Sequence, residues 1–285
     1  YISYYIFIIY NMSKVIKQNN LFTRWNNAVI CCIAKGEELY IIEWILYHLA
    51  MGFQKIYIYD NNNNRARLPI FLSKQKEFPL IRKKIYIIHF PGKVKQIPAY
   101  NHFLKYFSHL WRWVAYLDCD EFITINNPQL LPIRRFLSKF CRQGALAIHW
   151  RLFGDSGQSK YTPINLTERF TQCETKLNEH VKCISVCNHI YRMSDPHSPI
   201  LKKNRIQHDY LGRITNGPVN QIGLNDPTIG VYINHYFCKS REEWDYKRRR
   251  GMADNMRIRS DIEFDNHNKN ETTDIFACQF YKSIT

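Results

Sequence analysis

This chain has no long hydrophobic run. Its most apolar opening, Tyr1 to Tyr10, is well short of the roughly 20 apolar residues a membrane span needs. It also lacks the basic start and small-residue cleavage site of a secretory leader. The expectation is a protein that is cytoplasmic or peripheral to a membrane. Residues 1–27 form an N-terminal extension, with Met12 as the true start. Internal repeats and low-complexity tracts are missing too, which excludes solenoids and linker-like chains. The cysteines lack a metal-ligand pattern. Cys31 and Cys32 are adjacent, Cys183 and Cys187 have no second pair at zinc spacing, and the count of nine is odd. They read as small buried hydrophobes in a reducing compartment. Asn11, Asn165 and Asn270 head glycosylation tripeptides that matter only in a secretory lumen.

Acidic residues are scarce: 24 Asp and Glu stand against 40 Lys and Arg, a formal charge of +16. That balance favours acidic partners, whether phosphorylated ligands, an anionic membrane surface or nucleic acid. The dense run Lys247 to Arg250 sits where a helix should end, and cations there complement the helix dipole. It is therefore read as a solvated helix end and not as a nucleic-acid patch. With 285 residues, 45 % hydrophobic and 22 % charged, the chain can form one large domain or two small ones.

Ala28 to Ala34 is a continuous apolar run and predicts a buried strand. Leu39, Ile42, Ile45, Leu46 and Leu49 then recur at helical spacing, and Gly52 is a natural stop. Lys55 to Tyr59 alternates like a second strand. Strand, helix, strand with short connections is the pattern of a right-handed βαβ unit and a parallel sheet. Further strands are predicted at Lys84 to Phe90, Arg112 to Leu117, Ala145 to Trp150 and Gly230 to Phe237, and a strand or hairpin at Val181 to Met193. Helices are predicted at Ile97 to Leu110 and from Pro132 to about Cys141. A last helix opens on the capping box Ser240-x-x-Glu243 and closes at Gly251. The polar stretch Arg151 to Lys160 reads as a substrate loop.

The strand ending at Leu117 runs into Asp118-Cys119-Asp120. Residues i and i+2 of a strand share a face, and two carboxylates there repel unless a cation or donor lies between them. Mg²⁺ is usually held by one or two carboxylates together with substrate phosphates. The reading is a metal site at a strand tip that awaits a diphosphate; taken alone, the tripeptide is more readily a solvated turn. Lys35, Glu37 and Asp60 also fall just after strand ends, where open α/β sheets bind ligands.

The residues then carry a family likeness. Lys35-Gly36-Glu37, Tyr40, Glu43-Trp44, His48 and Gly52 resemble the opening block of glycosyltransferase family 92 and related family 2-like enzymes. Gln96 and Ala99-Tyr100-Asn101 resemble the next block, and Asp118-Cys119-Asp120-Glu121-Phe122 resembles the Asp-x-Asp-Glu-Phe metal motif. Trp150-Arg151, Phe153-Gly154 and Ser156-Gly157 resemble the loop that follows. His235-Tyr236, Lys239-Ser240, Glu243-Trp244, Lys247 and Arg250-Gly251 resemble the C-terminal block. Gly36 stands where the family usually has Asn, and Asp155 where a small residue is expected.

The resemblance implies a GT-A-type α/β fold over residues 28–260, a less regular acceptor-side half, and a C-terminal tail at 261–285. It implies transfer of a sugar from a nucleoside-diphosphate sugar to a glycan hydroxyl, with inversion. UDP-galactose is the donor it suggests, and Mn²⁺ or Mg²⁺ the cofactor. Asp118, Asp120 and His235 are the candidate metal ligands, with Asp120 the direct one. Lys35, Glu37, Asp60, Asp118 and Lys239 are candidates for the donor, and Trp150 and His197 for the acceptor. Inverting transfer needs a general base. Asp155 is the candidate, with Glu168, Asp195 and Asp254 behind it. Two other readings stay open: a basic nucleic-acid-binding protein, which leaves the acidic strand ends unexplained, and a non-catalytic carbohydrate-binding relative.

Overall fold

The computed structural model describes residues 27–222, 224, 230–252 and 255–285. The extension at 1–26, Met12 included, and Asp254 lie outside them. The first half alternates β1 (Ala28–Ala34), α1 (Ile41–Ala50), β2 (Lys55–Asp60), α2 (Arg67–Ser73), α3 (Phe78–Ile81), β3 (Ile85–His89), α4 (Gln96–Tyr106), β4 (Trp113–Tyr116), β5 (Glu121–Ile125), α5 (Ile133–Phe140) and β6 (Ala145–Leu152). The second half holds α6 (Leu166–Arg169), β7 (Gln172–Cys173), β8 (Val181–Val186), β9 (Ile190–Met193), β10 (Pro199–Leu201), β11 (Gln207–His208), β12 (Ile214–Thr215) and β13 (Val231–His235). It ends in α7 (Arg241–Arg250), α8 (Asp261–His267), β14 (Thr272–Thr273) and α9 (Phe276–Lys282).

The main sheet has the order β12-β11-β6-β8-β4-β1-β2-β3, with β13 joined to β6 and β5 to β13. The segment β3-β2-β1-β4 is parallel. Its middle strand β1 is buried along its whole length. Ala28, Ile30, Cys32 and Ala34 face one apolar cluster and Val29, Cys31 and Ile33 the other. Helices therefore cover both faces, as parallel sheets require: Ile41, Trp44 and Ile45 of α1 on one side, Ala99, Tyr100 and Phe103 of α4 on the other. The turn after α1 needs Gly52, at φ 104°, because a Cβ there would come within 2.6 Å of Pro132 Cβ.

The sheet is mostly parallel, as expected, but antiparallel pairings enter it. β8 enters antiparallel between β4 and β6. The predicted strand or hairpin at Val181 to Met193 divides instead: β8 joins the main sheet, while β9 pairs with β10 in a separate two-stranded sheet. β6 pairs with β8 along Ala145–His149 and then with β13 along Trp150–Leu152. By this pairing the carboxyl ends of β1, β2, β4, β6 and β13 share one edge with the start of β8.

The stretch 261–285, expected as a tail, is built into the body. β14 pairs with β7, and Ala277, Phe280 and Tyr281 of α9 lie in the main core cluster. All nine cysteines are free thiols, and all but Cys278 are buried. Among the described residues no helix is long and apolar enough to cross a membrane.

Candidate active site

The first correction concerns the acidic pair. β4 ends at Tyr116, and Asp118-Cys119-Asp120 forms the turn into β5, closed by Glu121 N donating to Asp118 O at 3.1 Å. The two carboxylates do not stand side by side on a strand; they serve different surroundings. The turn is held from below by α1. Trp44 Nε1 donates to Glu121 O (2.8 Å) and Tyr47 Oη to Ile123 O (2.9 Å).

Asp118 is half-buried and engaged at both oxygens, accepting from Gln96 Nε2 at 2.8 Å and from Lys182 Nζ at 2.9 Å. Lys182 opens β8, is buried, and also lies 3.5 Å from Glu121. Burial lowers the lysine's pKa, but Asp118 and Glu121 outweigh it and raise it. Burial pushes Glu121 up to about 8 against the opposing pull of Lys182.

Asp120 is buried and faces cations. Its Oδ2 lies 2.9 Å from Lys247 Nζ and 3.5 Å from Lys239 Nζ, and its Oδ1 lies 3.7 Å from His235 Nε2. Burial pushes this carboxyl up, yet Lys247, Lys239 and His235 together hold it well below the usual range. Burial likewise keeps His235 well below its ordinary value, so its imidazole is neutral and can offer a lone pair. Burial brings Lys247 down to about 8. Lys239 holds a left-handed backbone, φ 58°, and its ammonium sits 4.8 Å from the Tyr40 ring centre. A non-glycine residue in that region stores strain of order 1 kcal/mol or more, a feature that clusters at ligand sites.

The loops after β1 and β2 meet beside this cluster. Asp60 Oδ1 accepts from the backbone and side-chain nitrogens of Asn62 (3.0 and 2.8 Å), and Asn62 Oδ1 accepts from Gly36 N at 3.1 Å. Asp60 Oδ2 is buried without a hydrogen-bond partner. Glu37 pairs with Arg250, which also donates to Lys35 O. Gly36 itself is at φ 63°, where a Cβ would meet the Tyr246 hydroxyl at 2.6 Å. That conformation suits glycine, and Asn is among the few other residues that tolerate it; any side chain there would have to displace the Tyr246 hydroxyl.

Trp150 continues the site from His235. Its ring centre lies 4.1 Å from that of His235 and 4.8 Å from that of His197, and Trp150 Nε1 is buried without a partner. His197 is pinned through Nδ1 to Val181 O at 3.0 Å, and burial takes it down to about 3.

Asp155 is placed otherwise. Its oxygens accept from Asn268 Nδ2, Asn270 Nδ2 and Gly157 N, so the expected substrate loop is knotted to the C-terminal segment. Glu168 pairs with Lys282, and Asp195 caps the turn at His197.

Three residues were missed as members of this cluster or misjudged. Lys247 was read as a solvated helix end, yet it is buried on Asp120. Glu243, Trp244 and Lys247 form the buried stripe of α7, and that helical spacing was the available signal. Lys182 had a fainter one, a single lysine inside an apolar strand. Gln96 stood only as part of a block.

Among the described residues no group of three or more His, Cys, Asp and Glu side chains is gathered to hold a metal. Asp120 and His235 are the right ligand types for a divalent ion that takes its other ligands from a diphosphate and water. Neighbouring ligands at about 2.1 Å lie about 3 Å apart, so the Oδ1 to Nε2 separation of 3.7 Å would have to close by a few tenths of an ångström to hold one.

No family model matches the chain. It is 26 % identical over 160 residues, 56 % of its length, to a glycosyltransferase family 92 protein of Oryza sativa subsp. japonica. It is 21 % identical over 188 residues, 62 % of its length, to one of Arabidopsis thaliana. It is 26 % identical over 161 residues, 54 % of its length, to one of Ricinus communis. The matched stretches span 26 %, 32 % and 28 % of those relatives' own lengths. All three similarities are to proteins named for glycosyltransferase family 92.

Proposed function

We propose that this chain is a GT-A-type glycosyltransferase of family 92 that moves a sugar from a UDP-sugar to a glycan hydroxyl with inversion, using a divalent metal. The observation that carries the reading is the convergence of His235, Lys239 and Lys247 on Asp120, at the carboxyl edge of an α/β sheet. Asp120 and His235 would hold Mn²⁺ or Mg²⁺, with Asp118 beside them in the same turn, and the ion would supply Lewis-acid stabilisation of a diphosphate leaving group. Lys239 and Lys247 present point charges to the phosphate oxygens. Lys35, Glu37, Asp60 and Asp118 border the nucleoside. Trp150 and His197 form the wall that faces the acceptor, the Trp ring suiting sugar C–H surfaces.

Asp155 stays the candidate base only if it exchanges its hydrogen bonds from Asn268, Asn270 and Gly157 for an acceptor hydroxyl, and Asp155→Asn tests it directly: retained transfer removes it from that role. The reading as a whole is tested by thermal stabilisation with UDP in the presence and absence of Mn²⁺, followed by a screen of UDP-sugars that begins with UDP-galactose. Metal-dependent stabilisation is expected. Its absence across several nucleoside diphosphates sinks the proposal.

A further inference from the structure

A second concave site lies at the other end of the sheet. A cavity of about 860 Å³ opens beside the amino end of β4 and the carboxyl ends of β8 and α4. Lys182 and Val186 bound the two ends of β8, about 13 Å apart at about 3.3 Å per residue, so this cavity is separate from the Asp120 cluster. Its walls carry Lys105, Arg112, Arg142 and Lys202 with Trp111 and Tyr191, and none of its lining residues is Asp or Glu. Among the described residues Lys105, Arg142 and Lys202 have no carboxylate partner. Arg142 is anchored through Nε on Ser138 O at 2.9 Å, and Arg112 packs over the Trp113 ring. The crowding of positive charge is felt by His189 in the same wall. Burial lowers its pKa, and Arg205, Lys202 and Arg112 lower it further.

We infer that this cavity binds a compact, phosphate-bearing ligand. Lys105, Arg142 and Lys202, gathered around one concavity whose lining holds no Asp or Glu, are stabilised by an anion. Guanidinium and ammonium donors drawn from different elements suit a tetrahedral, doubly charged phosphate better than a planar carboxylate, which one arginine fork can satisfy. The volume lies within the 300–1,000 Å³ range of small-molecule sites. It leaves room for an organic portion against Trp111 and the exposed Tyr191. A nucleic-acid strand would need an extended basic track in place of a single confined concavity. The phosphate can belong to a free compound or to a lipid headgroup.

The probes are inorganic pyrophosphate, followed by calorimetry in metal-free buffer, and phosphatidylcholine vesicles with about one lipid in five replaced by phosphatidic acid. Wild-type protein, R142E/K202E and D120N/K247M are compared. Binding is expected to survive D120N/K247M and to fall at least about tenfold in R142E/K202E, as loss of charged hydrogen bonds dictates. Binding of pyrophosphate identifies a free phosphate compound; binding of the vesicles alone identifies a headgroup. If R142E/K202E misfolds, acetylation of the wild-type protein gives the same answer, with Lys105 and Lys202 protected by whichever probe binds. Binding unaffected by R142E/K202E, unprotected lysines, or no binding of either probe overturns the inference.

Discussion

Asp118 and Asp120 stand two positions apart in one turn, yet the regions they enter differ in kind. Asp118 meets a single buried lysine and an amide, and both its oxygens are occupied. Asp120 meets two ammonium groups and a neutral imidazole, and its Oδ1 has only the 3.7 Å contact to His235. The Asp118 side resembles a structural ion pair that fixes the turn. The Asp120 side holds more cationic charge than it can neutralise, which is what the proposed diphosphate site calls for. Identical side chains in one short motif can thus meet one balanced and one unbalanced environment, and the surroundings decide which is which.

The largest expected effect breaks the comparison if it is reversed. Asp120→Asn should lower sugar transfer by about 10²–10³-fold, the cost of removing one preorganised electrostatic group, while Asp118→Asn should cost only about tenfold. Equal losses, measured as kcat/KM, would erase the distinction. Next in size, Lys182→Met strands Asp118 and Glu121 without their cation. Chemical denaturation should show a loss of about 3 kcal/mol, at the low end for breaking a buried pair because Asp118 is half-exposed. Lys247→Met removes a competitor for Asp120. Calorimetry should find Mn²⁺ binding about tenfold tighter and UDP binding weaker, as the charges involved imply.

A further expectation concerns pH. Glu121 is pushed up to about 8 when folded, above the ordinary glutamate value of about 4.3. Between those values the folded chain holds a proton that the unfolded chain has lost. Stability contributed through this group is present below about 4.3 and is lost as pH rises toward about 8. Glu121→Gln should flatten that part of the stability profile, and an unchanged slope would place the proton elsewhere.

Local periodicity made β1, α1 and β2 readable, because each buries a face written in consecutive residues. The capping box at Ser240 was readable for the same reason and is present in full, with Gly251 closing α7. What escaped was decided by distant pairing. Lys182 finds Asp118 across 64 residues and Lys247 finds Asp120 across 127. A lysine's burial cannot be inferred until its partner's position is known. The antiparallel entry of β8 escaped for a similar reason: an apolar strand carries no mark of its direction. Asp155 looked available because its loop is polar, but Asn268 and Asn270 reach it from more than a hundred positions away.

One packing contact bears on how the molecule is made. Phe280 of α9 lies edge-on to Tyr47, ring centres 4.9 Å apart, and Tyr47 steadies β5 immediately beyond the acidic turn. On a ribosome, that prop emerges only after everything it supports has been synthesised. The nascent chain therefore lacks this support beneath β5 until residues 276–282 clear the exit tunnel, a delay in which the Tyr47 face of the core stays uncovered and open to chaperones.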